Sequence, residues 1–229
     1  MITSTRFTLT ELLVSIAVLL VLISLLQPSF NQVMRQAHGV QCLTNLKSHG
    51  SAIAIYQDDY NGFYPAVSSW IGLSGDYGDL PHYGANRIGL NERPLNPYLG
   101  MDPKAAECPA DLGDALNSRA NSPAENCFKN YGTSYLIQFK GNYFRVRHLF
   151  HNTDPVHESE IHRKDNKIVM ADWPWHPNRK LEMEQTRWHS QDLRAFNTLF
   201  ADGHSELFTF PLTYETNPWG PYNPNDLFW

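Results

Sequence analysis

The stretch FTLTELLVSIAVLLVLISLL, residues 7–26, is a run of twenty residues with a single charge, Glu11. At about 1.5 Å rise per residue, a helix of that length spans about 30 Å, the thickness of a bilayer's hydrocarbon core. It is too long for the apolar region of a cleaved secretory signal, and the Gln27-Pro28-Ser29-Phe30 that follows is not a small-residue cleavage site. A transmembrane helix over residues 7–26 is therefore expected. Glu11 sits one turn into it. A carboxylate there reaches headgroup water or takes a proton; otherwise it needs a partner, since a charge at the centre of a span costs about 2.5–3.5 kcal/mol on insertion scales.

Toward the C-terminus, Pro28 removes a backbone donor and predicts a kink. Beyond it, apolar or small residues recur at Phe30, Val33, Met34, Ala37, Val40, Leu43, Leu46, Gly50 and Ile53, which is helical spacing. That stripe reads as the core face of an amphipathic continuation over residues 27–61, against which a globular part packs. Asn61-Gly62, followed by Pro65, supplies the stop. Asp58, Asp59 and Asn61 lack the spacing and distal Glu of an EF-hand and read as a helix end.

The remainder, residues 62–229, suits one globular domain. Gly, Pro, Asn and Asp crowd residues 62–130, so long ordered loops and short helices are expected there. YGTSYLIQF (131–139) and KIVMADW (167–173) read as strands, and RAFNTLFADGHSELFTF (194–210) as two more joined at Asp202-Gly203 through a type I′ turn. The fold class expected is α+β: a long N-terminal helix packed on a small antiparallel sheet. With 18 basic against 23 acidic side chains, a net charge of −5 and no Lys/Arg stripe, the chain does not suit a nucleic-acid surface.

The N-terminal string MITSTR-FTLTELLVSIAVLL resembles the signature of type IV pilins and type II secretion pseudopilins. In that family a short polar leader, here residues 1–6, is removed by a prepilin peptidase. By this resemblance, cleavage falls between Arg6 and Phe7, the new amine of Phe7 is methylated, and Glu11 meets the N-terminal ammonium of a neighbouring subunit during assembly. Arg6 departs from the pattern, because the family carries Gly or another small residue before the cut. A bulky cation in a pocket shaped for a small side chain slows or prevents cleavage, and an uncleaved chain remains a single-pass membrane protein.

The middle and end of the chain are similar to a large group of pseudopilin-like proteins. Cys42, Asn45, Leu46, Lys47, Gly50, Ala52, Tyr56, Asp59, Gly62 and Pro65 occupy the positions of its C-x-x-N-L-K-x-x-G-x-A…Y-x-x-D-x-x-G-x-x-P pattern, and Cys108, Pro109 and Asp111 those of C-P-S-D. Asn197, Leu199, Phe200, Ala201, Asp202, Gly203 and His204 match the end of its H-X9-DG motif, although twelve residues separate His189 from Asp202. The resemblance implies a pilin-like head outside the inner membrane, the N-terminus in the cytoplasm, and partners that are other pilins or copies of the chain. In a disulfide-permissive compartment, Cys108 and Cys127, which bracket a loop rich in Asn, Ala and Pro, are the expected disulfide, with Cys42–Cys108 as the rival. The Asp-Gly-His segment is either turn chemistry alone or part of a cation site with Asp172, His189 and Asp202, for which calcium is the expected ion.

No catalytic signature stands out. His148, His151, His157 and His162 fall close together but lack the regular ligand pattern of a zinc site and read as solvated. Glu158 and Glu160 form an acidic loop, and there is no G-x-S-x-G, H-E-x-x-H or phosphate-cradling glycine loop. The six tryptophans and the tail NPWGPYNPNDLFW either fill a loop-rich core or present a platform for sugars or neighbouring subunits. The expected function is assembly into a pilus or pseudopilus, without enzymatic activity. The alternative is a membrane-anchored extracytoplasmic binding module for surface or carbohydrate adhesion.

Overall fold

The computed structural model describes residues 8–79, 88–114, 125–139, 147–175, 187–190, 192 and 194–210. The predicted cleavage site at Arg6 and Phe7 and the aromatic tail lie outside the described residues. The chain divides into two units, Met1–Ala37 and His38–Trp229.

The first element, α1, is a single helix over Leu9–Asp59. Its N-terminus carries a capping box: the Thr8 amide and hydroxyl donate to Glu11 Oε2 at 2.8 and 2.7 Å, and the Glu11 amide donates to Thr8 Oγ1 at 3.3 Å. Leu9–Gln27 has a mean hydropathy of 2.7, long and apolar enough to cross a membrane, and none of it is buried by the chain. The helix ends where Asn61 (φ 52°) and Gly62 (φ 85°) turn left-handed, as the stop signals predict.

The second unit is built on the last turns of α1. Cys42, Leu46, His49, Ile53 and Tyr56 are buried along one face, at alternating intervals of four and three residues. The predicted stripe is corrected at its start, because Phe30, Val33, Met34 and Val40 are exposed. Apolar periodicity reports a face that needs cover, and among the described residues those side chains stay exposed.

Four antiparallel strands form one sheet in the order β1-β2-β3-β4: Tyr135–Ile137, Ile168–Asp172, Ala195–Phe200 and Ser205–Thr209. The two central strands are buried along their whole length and β4 is largely exposed. The predicted strand over 131–139 shrinks to three residues because Tyr131 belongs to a short helix, α2, Cys127–Tyr131. Asn126 caps α2 by accepting from the Lys129 amide at 2.7 Å, a local bond that outweighs the strand preference of the aromatic residues.

Helix and sheet meet closely at Gly50, where an added Cβ would stand 3.0 Å from Leu199 Cδ1 and 3.3 Å from the Gly203 backbone. Ser205 Oγ donates to the Leu43 carbonyl at 3.0 Å beside that contact. The hairpin itself differs from the type I′ expectation. Gly203 alone has a positive φ (87°), its amide donates to Phe200 O at 3.0 Å, and the Phe200 amide donates to His204 O at 2.9 Å. This is a three-residue loop with glycine at the left-handed position. Asp202 instead accepts from the His204 amide and Nδ1 at 3.0 and 2.5 Å, a bond that holds it in the turn without a positive φ.

Candidate functional site

The sequence-predicted site residues do not converge. Asp172 closes β2, whereas the Asp202 amide donates to Lys164 O and the neighbouring Ala201 amide to Lys167 O, both beyond the opposite end of that strand. Five residues of extended chain between Lys167 and Asp172 span about 16 Å. A cation site joining Asp172, His189 and Asp202 is therefore overturned, because the antiparallel pairing carries the hairpin away from the other two. Asp172 and His189 do meet, with Oδ2 and Nε2 3.6 Å apart and side chains 1% and 3% exposed.

The cysteines explain that meeting. The disulfide joins Cys42 of α1 to Cys108, with Cα atoms 5.3 Å apart. This corrects the expected Cys108–Cys127 pairing. Cys127 opens α2, where the Asp111 carboxylate accepts its amide at 2.9 Å and the Phe128 amide at 2.9 Å, so its backbone is committed to that cap. Asp111 also accepts from Ser134 Oγ at 2.6 Å and the Gly113 amide at 2.8 Å, and Ser134 Oγ accepts from the Cys108 amide at 3.0 Å. Burial pushes the Asp111 carboxyl up, and these donors pull it partly back. The Cys-Pro-Ala-Asp segment is thus a clamp that presents Cys108 to α1.

Beside the disulfide, His189 Nε2 lies 3.2 Å from Cys108 Sγ. Its Nδ1 is buried without a partner among the described residues, as is Oδ1 of Asp172, while Asp172 Oδ2 accepts from the Asn197 amide at 2.8 Å. Burial lowers the His189 pKa to about 4, with His38 adding repulsion, and raises the Asp172 carboxyl well above the usual range. Both shifts favour neutral forms, so their proximity is not an ion pair at neutral pH. Among the described residues, Cys42, Cys108 and His189 are the one group whose ligand atoms, all within 4.8 Å of one another, have the spacing to hold a metal. That donor set is sulfur and nitrogen, not the oxygen set that calcium takes.

The other candidate residues have structural partners. His157 meets the Asn61 carbonyl through Nε2 at 2.8 Å and Ser159 Oγ through Nδ1 at 2.7 Å. His162 is exposed. Glu158 and Glu160 pair with Lys164 and Arg147, each at 2.6 Å, and Asp59 accepts from Tyr98 Oη at 2.8 Å. Trp173 and Trp175 are buried and donate to Asp114 Oδ2 at 2.8 Å and Leu136 O at 3.0 Å, which fits the core-filling alternative for these two.

Three buried polar residues carry no sequence signal of their own. Arg93 donates to the carbonyls of Ile71, Ser74 and Tyr131. Lys167 donates to the Arg147 carbonyl, and burial holds its ammonium pKa well below the usual range. His49 sits between the Asn45 carbonyl and Ser74 Oγ. Comparison of the chain with family models, with curated proteins and with solved structures finds no match in any of the three.

Proposed function

We propose that the chain is a subunit of a type IV pilin-like filament, a pilus or secretion pseudopilus, anchored in the inner membrane by the first turns of α1. The supporting observation is the extent of the uncovered apolar helix surface. A bilayer span needs about 20 apolar residues, and Leu9–Gln27 meets that need. Yet exposed apolar side chains continue along the helix at Phe30, Val33, Met34 and Val40. An anchor alone has no use for them; helices of neighbouring copies would cover them. Among the described residues, both hydrogen bonds to the Glu11 carboxylate fall on Oε2, and Oε1 would take a donor from a neighbouring copy, such as its N-terminal ammonium. The disulfide fits an oxidising compartment for the second unit. The proposed work is assembly and not catalysis.

A second reading, an anchored extracytoplasmic binding module, is favoured by the same capping box, because Thr8 satisfies Glu11 without a neighbour. Arg6 favours it too, by opposing leader removal. Mass spectrometry of the N-terminal peptide separates the two. The filament reading expects a chain that begins at methylated Phe7, and filaments that disappear in Glu11→Ala. A chain that keeps Met1 and forms no filaments refutes it and leaves the anchored module.

A further inference from the structure

The Cys42–Cys108 bond lies in a pocket of ligand atoms that a structural disulfide does not need. His189 Nε2 faces Cys108 Sγ at 3.2 Å. Asp172 Oδ2 is 3.6 Å from the same nitrogen. Zinc takes Cys sulfur at about 2.3 Å and His nitrogen at about 2.0–2.1 Å, so neighbouring donors on a tetrahedral ion stand about 3.5 Å apart. The spacing around His189 is already close to that. Two thiolates and an imidazole supply three of the four positions of a tetrahedral zinc ion, and the sulfurs disfavour hard cations such as calcium.

A second observation points the same way. Asp172 is 1% exposed at its side chain, and its Oδ1 has no partner among the described residues. A buried polar oxygen without a partner is uncommon and calls for an explanation such as an absent ion. Its other oxygen, Oδ2, which faces His189 Nε2, accepts from the Asn197 amide at 2.8 Å, and this bond fixes the carboxyl beside the ring. Gly39 of α1 adds room beside the ring, where even an added Cβ would stay 3.8 Å from His189 Nδ1.

We propose that Cys42, Cys108 and His189, beside Asp172, form a redox-gated zinc site, closed by the disulfide when oxidised and by a zinc ion when the two cysteines are thiols. A dithiol reductant passes two electrons and two protons to the disulfide and becomes a disulfide itself. Zinc then displaces the two thiol protons to solvent and binds both sulfurs and His189 through Nε2, with the ring proton on Nδ1. The same cross-link between α1 and the Cys108 segment persists in both states. Before oxidation, the ion also keeps Cys108 from pairing with Cys127, the third cysteine of the chain.

The test uses the full chain in detergent micelles, oxidised or reduced with a phosphine, and loaded with zinc or with cobalt as a spectroscopic stand-in. One equivalent of zinc is expected in the reduced chain and none in the oxidised chain. Cobalt should give a thiolate charge-transfer band and the intense visible bands of a tetrahedral ion. Both signatures should vanish in His189→Ala, weaken with an affinity loss of about 10–100-fold in Asp172→Asn, and persist in Cys127→Ser. Near-UV circular dichroism of each oxidised variant establishes that it folds. Zinc bound equally in the oxidised chain, no zinc in the reduced chain, or cobalt spectra unchanged in His189→Ala each overturn the proposal.

Discussion

Replacing His49 by Gln removes a group that stays neutral in the folded chain down to about pH 4. His49 is fully buried on α1, with Nδ1 2.8 Å from the Asn45 carbonyl and Nε2 2.6 Å from Ser74 Oγ. Burial is the larger influence and disfavours the imidazolium, while the Asn45 carbonyl works weakly the other way. The pKa falls from 6.5 to about 4. Between those values the unfolded chain binds a proton that the folded chain refuses. Stability from this residue is thus complete above pH 6.5, falls as the pH drops, and levels off below pH 4. At about 1.4 kcal/mol for each pH unit, the loss comes to roughly 3 kcal/mol. His189, also lowered to about 4, adds in the same direction. Asp172 and Asp111, raised by burial, oppose it, because a carboxyl held above its unfolded pKa gains stability as the pH falls. Only a comparison of two chains that share those groups isolates His49. Urea unfolding of wild type and His49→Gln in micelles, followed by the fluorescence of the buried Trp173 and Trp175, supplies it. Between pH 7 and pH 4 the wild type should lose about 3 kcal/mol more than the variant. Parallel pH profiles would refute the reasoning, whatever the offset between them.

The same unfolding assay checks two further expectations. Cys108→Ala opens a cross-link between residues 66 apart in sequence, for which chain entropy predicts a loss of about 4 kcal/mol; Cys127→Ala should keep the disulfide on a non-reducing peptide map. Arg93→Met strands the carbonyls of Ile71, Ser74 and Tyr131 and should cost about 3–5 kcal/mol, with a loss below about 1 kcal/mol counting against Arg93 as the hub of those loops.

Local signals in the sequence are reproduced where a segment's own chemistry decides its structure. Asn61-Gly62 ends α1, and β2, β3 and β4 fall where alternation placed them. Local competition explains two departures. Asn126 turns Cys127–Tyr131 into a helix, and the Asp202–His204 bond gives a three-residue hairpin loop in place of the two-residue turn. The stripe on α1 was legible as a period but not as a boundary. Its buried face includes His49, which a search for apolar residues passes over, and omits Val40, which that search includes.

The candidate site was legible only in fragments. Cys108, Asp111, His189 and Asp172 each stood out, but not their arrangement. Asp202 was grouped with Asp172 and His189 as a candidate calcium site, and the antiparallel pairing of β2 with β3 separates it from them. Cys127 is the nearer cysteine to Cys108 along the chain; Cys42, 66 residues away, is its partner. Arg93 and Lys167 are buried, and no pattern in the sequence around them signals it.

The sequence by itself determines an apolar helix of membrane-spanning length, a helical period after it, and strands that alternate, because each depends on side chains within a few residues of one another. Tertiary structure alone decides which of Cys42, Cys108, Asp172 and His189 share one pocket. Cys108 and His189 stand 81 residues apart and meet at 3.2 Å. Their contact is set by how α1, the Asp111 clamp and the end of β2 converge in space, and no pattern confined to one segment records that convergence.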